Sequence, residues 1–290
     1  MSKIFNALRK TGQFDDPGMD AATRTDLAPQ GQGTATATVV DGHPEQQNHE
    51  QAPEQPLPVA TTKTVSLRIS ALAPLFPFDD LHSEAAEQYR IIRTKIMHHP
   101  AEPRIIVISS ASSGDGKTVT AINLAGVLAL KQEHQILLID ADLRRHDLSS
   151  VLGLPETPGV ASVLRGECSL DDALLRVEQI PNLWVLPAGT SDRNPAELLA
   201  SARWHEVLAE AKSRFSYVVI DATPLAIVAD FDLVQVACDG VILVMRPDHT
   251  NRRVCLKALE SVSRDKLIGT ILNCVEDWFL FKAQGYGYYS

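Results

Sequence analysis

Ala111–Thr118 reads Ala-Ser-Ser-Gly-Asp-Gly-Lys-Thr, and its flanks decide the fold. Before it stands Arg104–Ser109 (RIIVIS), an unbroken apolar run of strand length; after it Lys117–Lys131 (KTVTAINLAGVLALK) has the apolar spacing of a helix. A glycine-bearing turn between a buried strand and a helix is built to receive phosphate. Gly114 and Gly116 let the backbone approach the oxygens, while successive amide N–H groups and the positive end of the helix face the anion. Lys117 offers a point charge to the β and γ phosphates, and the Thr118 hydroxyl offers a ligand for Mg²⁺. The expected nucleotide contacts are Ser112, Ser113, Gly114, Asp115, Gly116, Lys117, Thr118 and Val119. Ala111 replaces the first glycine usual in such loops, but the strand-turn-helix context is met.

Similar runs recur outward from this loop: Gln135–Asp140 (QILLID), Leu183–Gly189 (LWVLPAG), Tyr217–Asp221 (YVVID), Gly240–Arg246 (GVILVMR) and Leu267–Asn273 (LIGTILN). Runs that are apolar throughout, rather than alternating, belong to strands covered on both faces. One helix is expected around Pro195–Lys212, and another begins after Ser83, with Glu84 and Glu87 near its start, and runs to His99, where Pro100 stops it. The class is α/β, a doubly wound, mostly parallel sheet. In such sheets ligands bind beyond the carboxyl ends of the strands. Asp140 and Asp142 stand at and just past one such end, and Asp221 at another. Singly, each reads as a helix cap or a loop acid. Around a polyphosphate they read as a Mg²⁺ site, with Thr118, Asp140 and Asp221 as the metal set. Arg144 and Arg145 follow directly, suited as forked donors to phosphate or an acidic neighbour, or left to solvent.

Composition changes near residue 80, and eight of the 17 prolines fall before it. From Lys10 to Ala60 the apolar side chains stand isolated, and residues 11–80 read as a disordered linker. Within residues 1–10, Ile4, Phe5 and Leu8 share one face beside Lys3, Arg9 and Lys10: either a short docking helix or a frayed terminus. The domain spans residues 81–274. Residues 275–290 form a flexible tail with Tyr286, Tyr288 and Tyr289, three of the five tyrosines, between glycines. A net charge of −9 argues against nucleic acid as a partner. No apolar run reaches the roughly 18 residues of a membrane span, and the opening MSKIFNALRK is not a secretory signal. Cys168, Cys238, Cys255 and Cys274 are widely spaced and read as reduced thiols of a cytoplasmic protein.

Together these residues resemble the P-loop tyrosine kinases of bacterial capsule and exopolysaccharide systems, across residues 80–290. The resemblance is carried by a Walker A motif (Ala111–Thr118), a Walker A′ motif (Ile136–Arg145, ILLIDADLRR) and a Walker B motif (YVVID). It extends to Leu186–Ser201 (LPAGTSDRNPAELLAS) and to EQYRIIR, with Glu87, Arg90 and Arg93 in E-x-x-R-x-x-R spacing. It implies ATP and Mg²⁺ as cofactors and Lys117, Asp140 and Asp142 as catalytic residues. Either Asp140 or Asp142 would take the tyrosine proton. Further implications are Asn273 near the adenine, Tyr286, Tyr288 and Tyr289 as phosphoacceptors between subunits, and a ring-like homo-oligomer assembled through Glu87, Arg90 and Arg93. A separate membrane-spanning polysaccharide co-polymerase or activator would hold the kinase at the inner face of the membrane. His146 and Thr223 stand where this family often has proline. The alternatives are a partition- or septum-positioning ATPase, whose relatives carry a lysine where Ala111, Ser112 and Ser113 stand here, and a non-catalytic ATP-binding regulator of polysaccharide export.

Overall fold

A computed structural model describes residues 63–69, 73–78, 81–155, 157–190, 194–225 and 230–275. Residues 1–10, most of the expected linker and the tyrosine-bearing tail lie outside them. The core is one eight-stranded sheet in the order β1-β4-β5-β3-β6-β2-β7-β8. Its strands are β1 (Lys63–Val65), β2 (Ile105–Ser110), β3 (Ile136–Asp140), β4 (Leu175–Val177), β5 (Leu183–Leu186), β6 (Tyr217–Asp221), β7 (Gly240–Met245) and β8 (Leu267–Leu272). All neighbours pair parallel except β4 and β5.

Every residue of β2, β3 and β7 is buried, as their unbroken apolar runs require. Alternate residues serve opposite faces. Ile105 and Val107 join a cluster with Trp204, Leu208 and Phe231, whereas Ile106 and Ile108 join Ile122, Leu124 and Leu128. The first cluster is roofed by α7 (Ala202–Arg214) and α8 (Asp230–Val236), the second by α2 (Lys117–Ala129) and α1 (Glu84–Met97). Short helices α3 (Asp147–Leu152), α4 (Val160–Leu164), α5 (Leu170–Ala173) and α6 (Pro195–Leu199) fill the long crossover and the turn after β5, and α9 (Arg252–Ser261) links β7 to β8. The Ser83 hydroxyl caps α1 by accepting from the Ala86 amide. The single helix expected around Pro195–Lys212 is two helices, because Ser201 is extended (φ −72°, ψ 152°) and restarts the chain as the N-cap of α7. Among the described residues, no helix is long and apolar enough to cross a membrane.

The expected linker boundary at residue 80 needs correction. β1 pairs in parallel with β4 at one edge of the sheet. Leu67 and Leu75 are buried, and the Gln179 side chain bonds both the amide and the carbonyl of Leu67. A second clasp comes from Asn123, fully buried on α2, which accepts from the Phe76 amide and donates to the Pro74 carbonyl, each at 2.9 Å. Composition hid this segment because main-chain bonds and a few apolar side chains attach it, not an apolar run.

Candidate functional site

The loop after β2 closes onto the N-terminus of α2. Gly114 and Gly116 take φ of 88° and 93°, in the left-handed region that glycine enters without penalty. A Cβ on Gly116 would stand 2.1 Å from Nδ2 of Asn273, so side-chain crowding requires glycine there too. Ala111 fits where a first glycine is usual: its methyl is buried with Leu243, Met245 and Ala258, and its amide donates to the Val244 carbonyl. Val119 is partly buried in the apolar cluster on the α2 side of the sheet.

Parallel pairing in register sets Asp140 opposite Asp221 across β3 and β6. Between them and the loop stands Lys117, with Nζ 3.0 Å from Asp142 Oδ2 and 3.3 Å from Asp221 Oδ1. Nζ also approaches the Thr118 hydroxyl at 3.2 Å. Burial alone would push the Lys117 ammonium down; the charges of Asp221, Asp142 and Asp140 outweigh it and hold it above the usual lysine range. Burial raises Asp140 well above the ordinary carboxylate value, reinforced by the Asp221 charge and opposed by Lys117. Burial likewise raises Asp221, against the pull of Lys117. Asp140 Oδ1 accepts from the Asp142 amide, while Oδ2 is buried without a hydrogen-bond partner. A small cleft above these groups is lined by Ser113, Lys117, Asp142, Arg144, Arg145, Thr223 and Pro224.

The two arginines of the motif diverge. Arg144 forks onto Asp230 with bonds of 2.7 and 3.1 Å, and Arg145 donates to the Ser113 hydroxyl on the phosphate-binding loop. Asp115 turns its carboxylate away from the cleft and is fully buried. Oδ2 accepts the Ser112 amide at 2.8 Å, and Oδ1 meets the Thr250 hydroxyl and His249 Nδ1. Asn273, just past β8, donates to the Asp115 carbonyl at 2.9 Å and so lies against the loop itself. Asp230, His249 and Thr250 carry no local signal. They reach the site only through the strand order: Asp230 follows β6, which runs beside β3, and His249 and Thr250 follow β7, which runs beside β2.

Elsewhere, Glu87, Arg90 and Arg93 share one face of α1, as their spacing requires. Glu87 pairs with Arg90 at 3.3 Å, Arg90 also donates to the Leu81 carbonyl, and Arg93 donates to the Val127 carbonyl in the last turn of α2. Tyr286, Tyr288 and Tyr289 lie outside the described residues.

Fold and site thus define a P-loop nucleotide-binding protein. A family model described as AAA domain matches residues 103–262. The chain is 37 % identical over 209 residues to the tyrosine-protein kinase YwqD of Bacillus subtilis, across 71 % of this chain and 86 % of that one. It is 34 % identical over 194 residues to the tyrosine-protein kinase CpsD of Streptococcus agalactiae, across 66 % of this chain and 84 % of that one. The kinase domain of the Escherichia coli tyrosine kinase ETK matches with a TM-score of 0.64 at 26 % identity, across 69 % of this chain and 79 % of that one. The chain belongs to the bacterial tyrosine-protein kinases.

Proposed function

We propose that this chain is an ATP-dependent tyrosine autokinase that controls polymerisation and export in a capsule or exopolysaccharide system. Its substrates are Tyr286, Tyr288 and Tyr289 of a neighbouring copy. The observation that carries the reading is the seat of Lys117, held at the mouth of an anion-binding loop between Asp221 at the end of β6 and Asp142 just past the end of β3.

The residues suit the cofactor. Amides of the Gly114–Thr118 stretch and the Lys117 ammonium suit the β and γ phosphates. Thr118, Asp140 and Asp221 supply hard oxygen donors, and the unpartnered Oδ2 of Asp140 suits a cation or its water. Among the described residues no group of three or more His, Cys, Asp or Glu is arranged to hold a metal by itself. Mg²⁺ binds few carboxylates and takes its remaining ligands from phosphate and water. ATP with Mg²⁺ supplies the phosphoryl group. Lys117 and the loop amides neutralise charge on the phosphoryl oxygens, and positioning does most of the catalysis. The tyrosine hydroxyl, with a pKa of about 10, gives up its proton late to Asp140 or Asp142.

Assembly is a ring-like homo-oligomer through the α1 face of Glu87, Arg90 and Arg93, where Ile91 is also exposed. A separate membrane-spanning activator recruits the kinase to the inner face of the membrane. Phosphorylation adds roughly −1.5 to −2 charges per tyrosine, which drives subunits apart. The test is intact mass and anti-phosphotyrosine blotting with Mg-ATP, comparing the native chain, Lys117→Met and the triple variant Tyr286→Phe, Tyr288→Phe, Tyr289→Phe. Only the native chain should gain phosphoryl groups. Undiminished phosphotyrosine in the triple variant would refute the tail as acceptor, and nucleotide binding without any phosphotyrosine would refute the kinase.

A further inference from the structure

An aspartate inside an anion-binding loop poses an electrostatic problem. A carboxylate at position 115, facing the cleft, would repel the polyphosphate that the neighbouring amides are arranged to receive. The structure shows it facing the other way. It is fully buried, accepts the Ser112 amide through Oδ2, and meets two donors from the loop between β7 and α9 through Oδ1. These are the hydroxyl of Thr250, itself buried, and Nδ1 of His249 at 3.2 Å. An ionised carboxylate only accepts, so His249 Nδ1 carries the proton of that bond. The His249 ring also lies over Gly114: a Cβ there would stand 3.2 Å from Cε1 and 3.3 Å from Nε2.

We propose that Thr250 and His249 are positioning residues for the nucleotide, acting through Asp115. By bonding its carboxylate on the side away from the cleft, they keep the negative charge out of the anion site and hold the loop in its receptive shape. The β7–α9 loop thereby sets nucleotide affinity without supplying a group to the phosphates. This inference rests on the nucleotide binding at Ala111–Thr118.

Isothermal titration of the full chain with Mg-ADP tests it, with the thermal midpoint in the absence of nucleotide as a folding check. Thr250→Val keeps the shape and removes the donor; affinity should fall about tenfold or more, as expected for loss of a hydrogen bond to a charged group. Thr250→Ser restores the hydroxyl and should bind like the native chain. His249→Leu should weaken binding, whereas His249→Asn, whose amide can replace Nδ1, should recover most of it. Should Thr250→Val fail to fold, the histidine pair decides alone. The proposal is overturned if the native chain binds and Thr250→Val binds equally well, or if Ser and Val at 250 lose affinity alike. A native chain that does not bind Mg-ADP overturns the nucleotide reading as well.

Discussion

Replacing Lys117 with methionine removes a cation from a nearly water-free cluster of acids, so its first effect should be on stability. The Lys117 side chain is 8 % exposed, and those of Asp142 and Asp221 are 2 % and 1 %. Methionine keeps the apolar stem and leaves the carboxylates without their counter-charge. Removing one partner of a buried ion pair costs about 3–5 kcal/mol, against a total stability of roughly 5–15 kcal/mol for a domain. In a domain of this size that lowers the unfolding midpoint by on the order of 10 °C.

The loss should depend on pH in one direction. Asp140 and Asp221 already sit above their unfolded values through burial, and the Lys117 charge is the strongest influence pulling them down. Without it they rise further. Carboxylates raised on folding contribute stability below their unfolded value of about 4, and that contribution is lost as pH climbs through the folded values. The native lysine, raised on folding, contributes below its unfolded value of about 10.4 and is therefore constant between pH 5 and 8. The deficit of Lys117→Met should thus be largest at pH 8 and shrink towards pH 5. Urea unfolding of both proteins at the two pH values, without nucleotide, measures it. A deficit under about 1 kcal/mol at pH 8, or equal deficits at both pH values, would refute the electrostatic account. The variant's phosphotyrosine should accordingly be assayed beside a measure of folded fraction.

Three further outcomes follow from the packing. Arg144→Ala should destabilise by roughly 2–3 kcal/mol because it strands the buried Asp230, whereas Asp230→Ala should cost less because Arg144 is 43 % exposed and can turn to water; reversal of that order in denaturant melts would contradict the geometry. Asn123→Ala unfastens the Pro74 carbonyl and the Phe76 amide together, and should cost about 2–3 kcal/mol and speed limited proteolysis within residues 63–78, an effect read by mass mapping. Cys238, buried and pushed by that burial up to about 11, should be the last thiol to react with iodoacetamide at pH 8, and exposed Cys274 the first.

The parts of this molecule visible in its sequence are those whose cause is local. β2, β3 and β7 could be read because strands buried on both faces must be apolar throughout, and the phosphate-binding loop because strand, turn and helix are consecutive. The acids could be read because strand ends are ligand sites in such sheets, and the Asp140–Asp221 register then places two of them side by side. β1 and β4 were not legible, since three-residue strands are too short to show a period and β1 takes its place through main-chain bonds. Thr250 and His249 were hidden for a different reason. They stand 135 and 134 residues from Asp115, and only the adjacency of β7 to β2 brings them to it. Apolar runs say that strands are central without saying which are neighbours, so a group reaching the site from an adjacent crossover stays unreadable until the strand order is known. An acid at position 115 was the one local sign of it: charge of the wrong sign in an anion loop requires donors from elsewhere in the chain, and the order of the strands decides which loop supplies them.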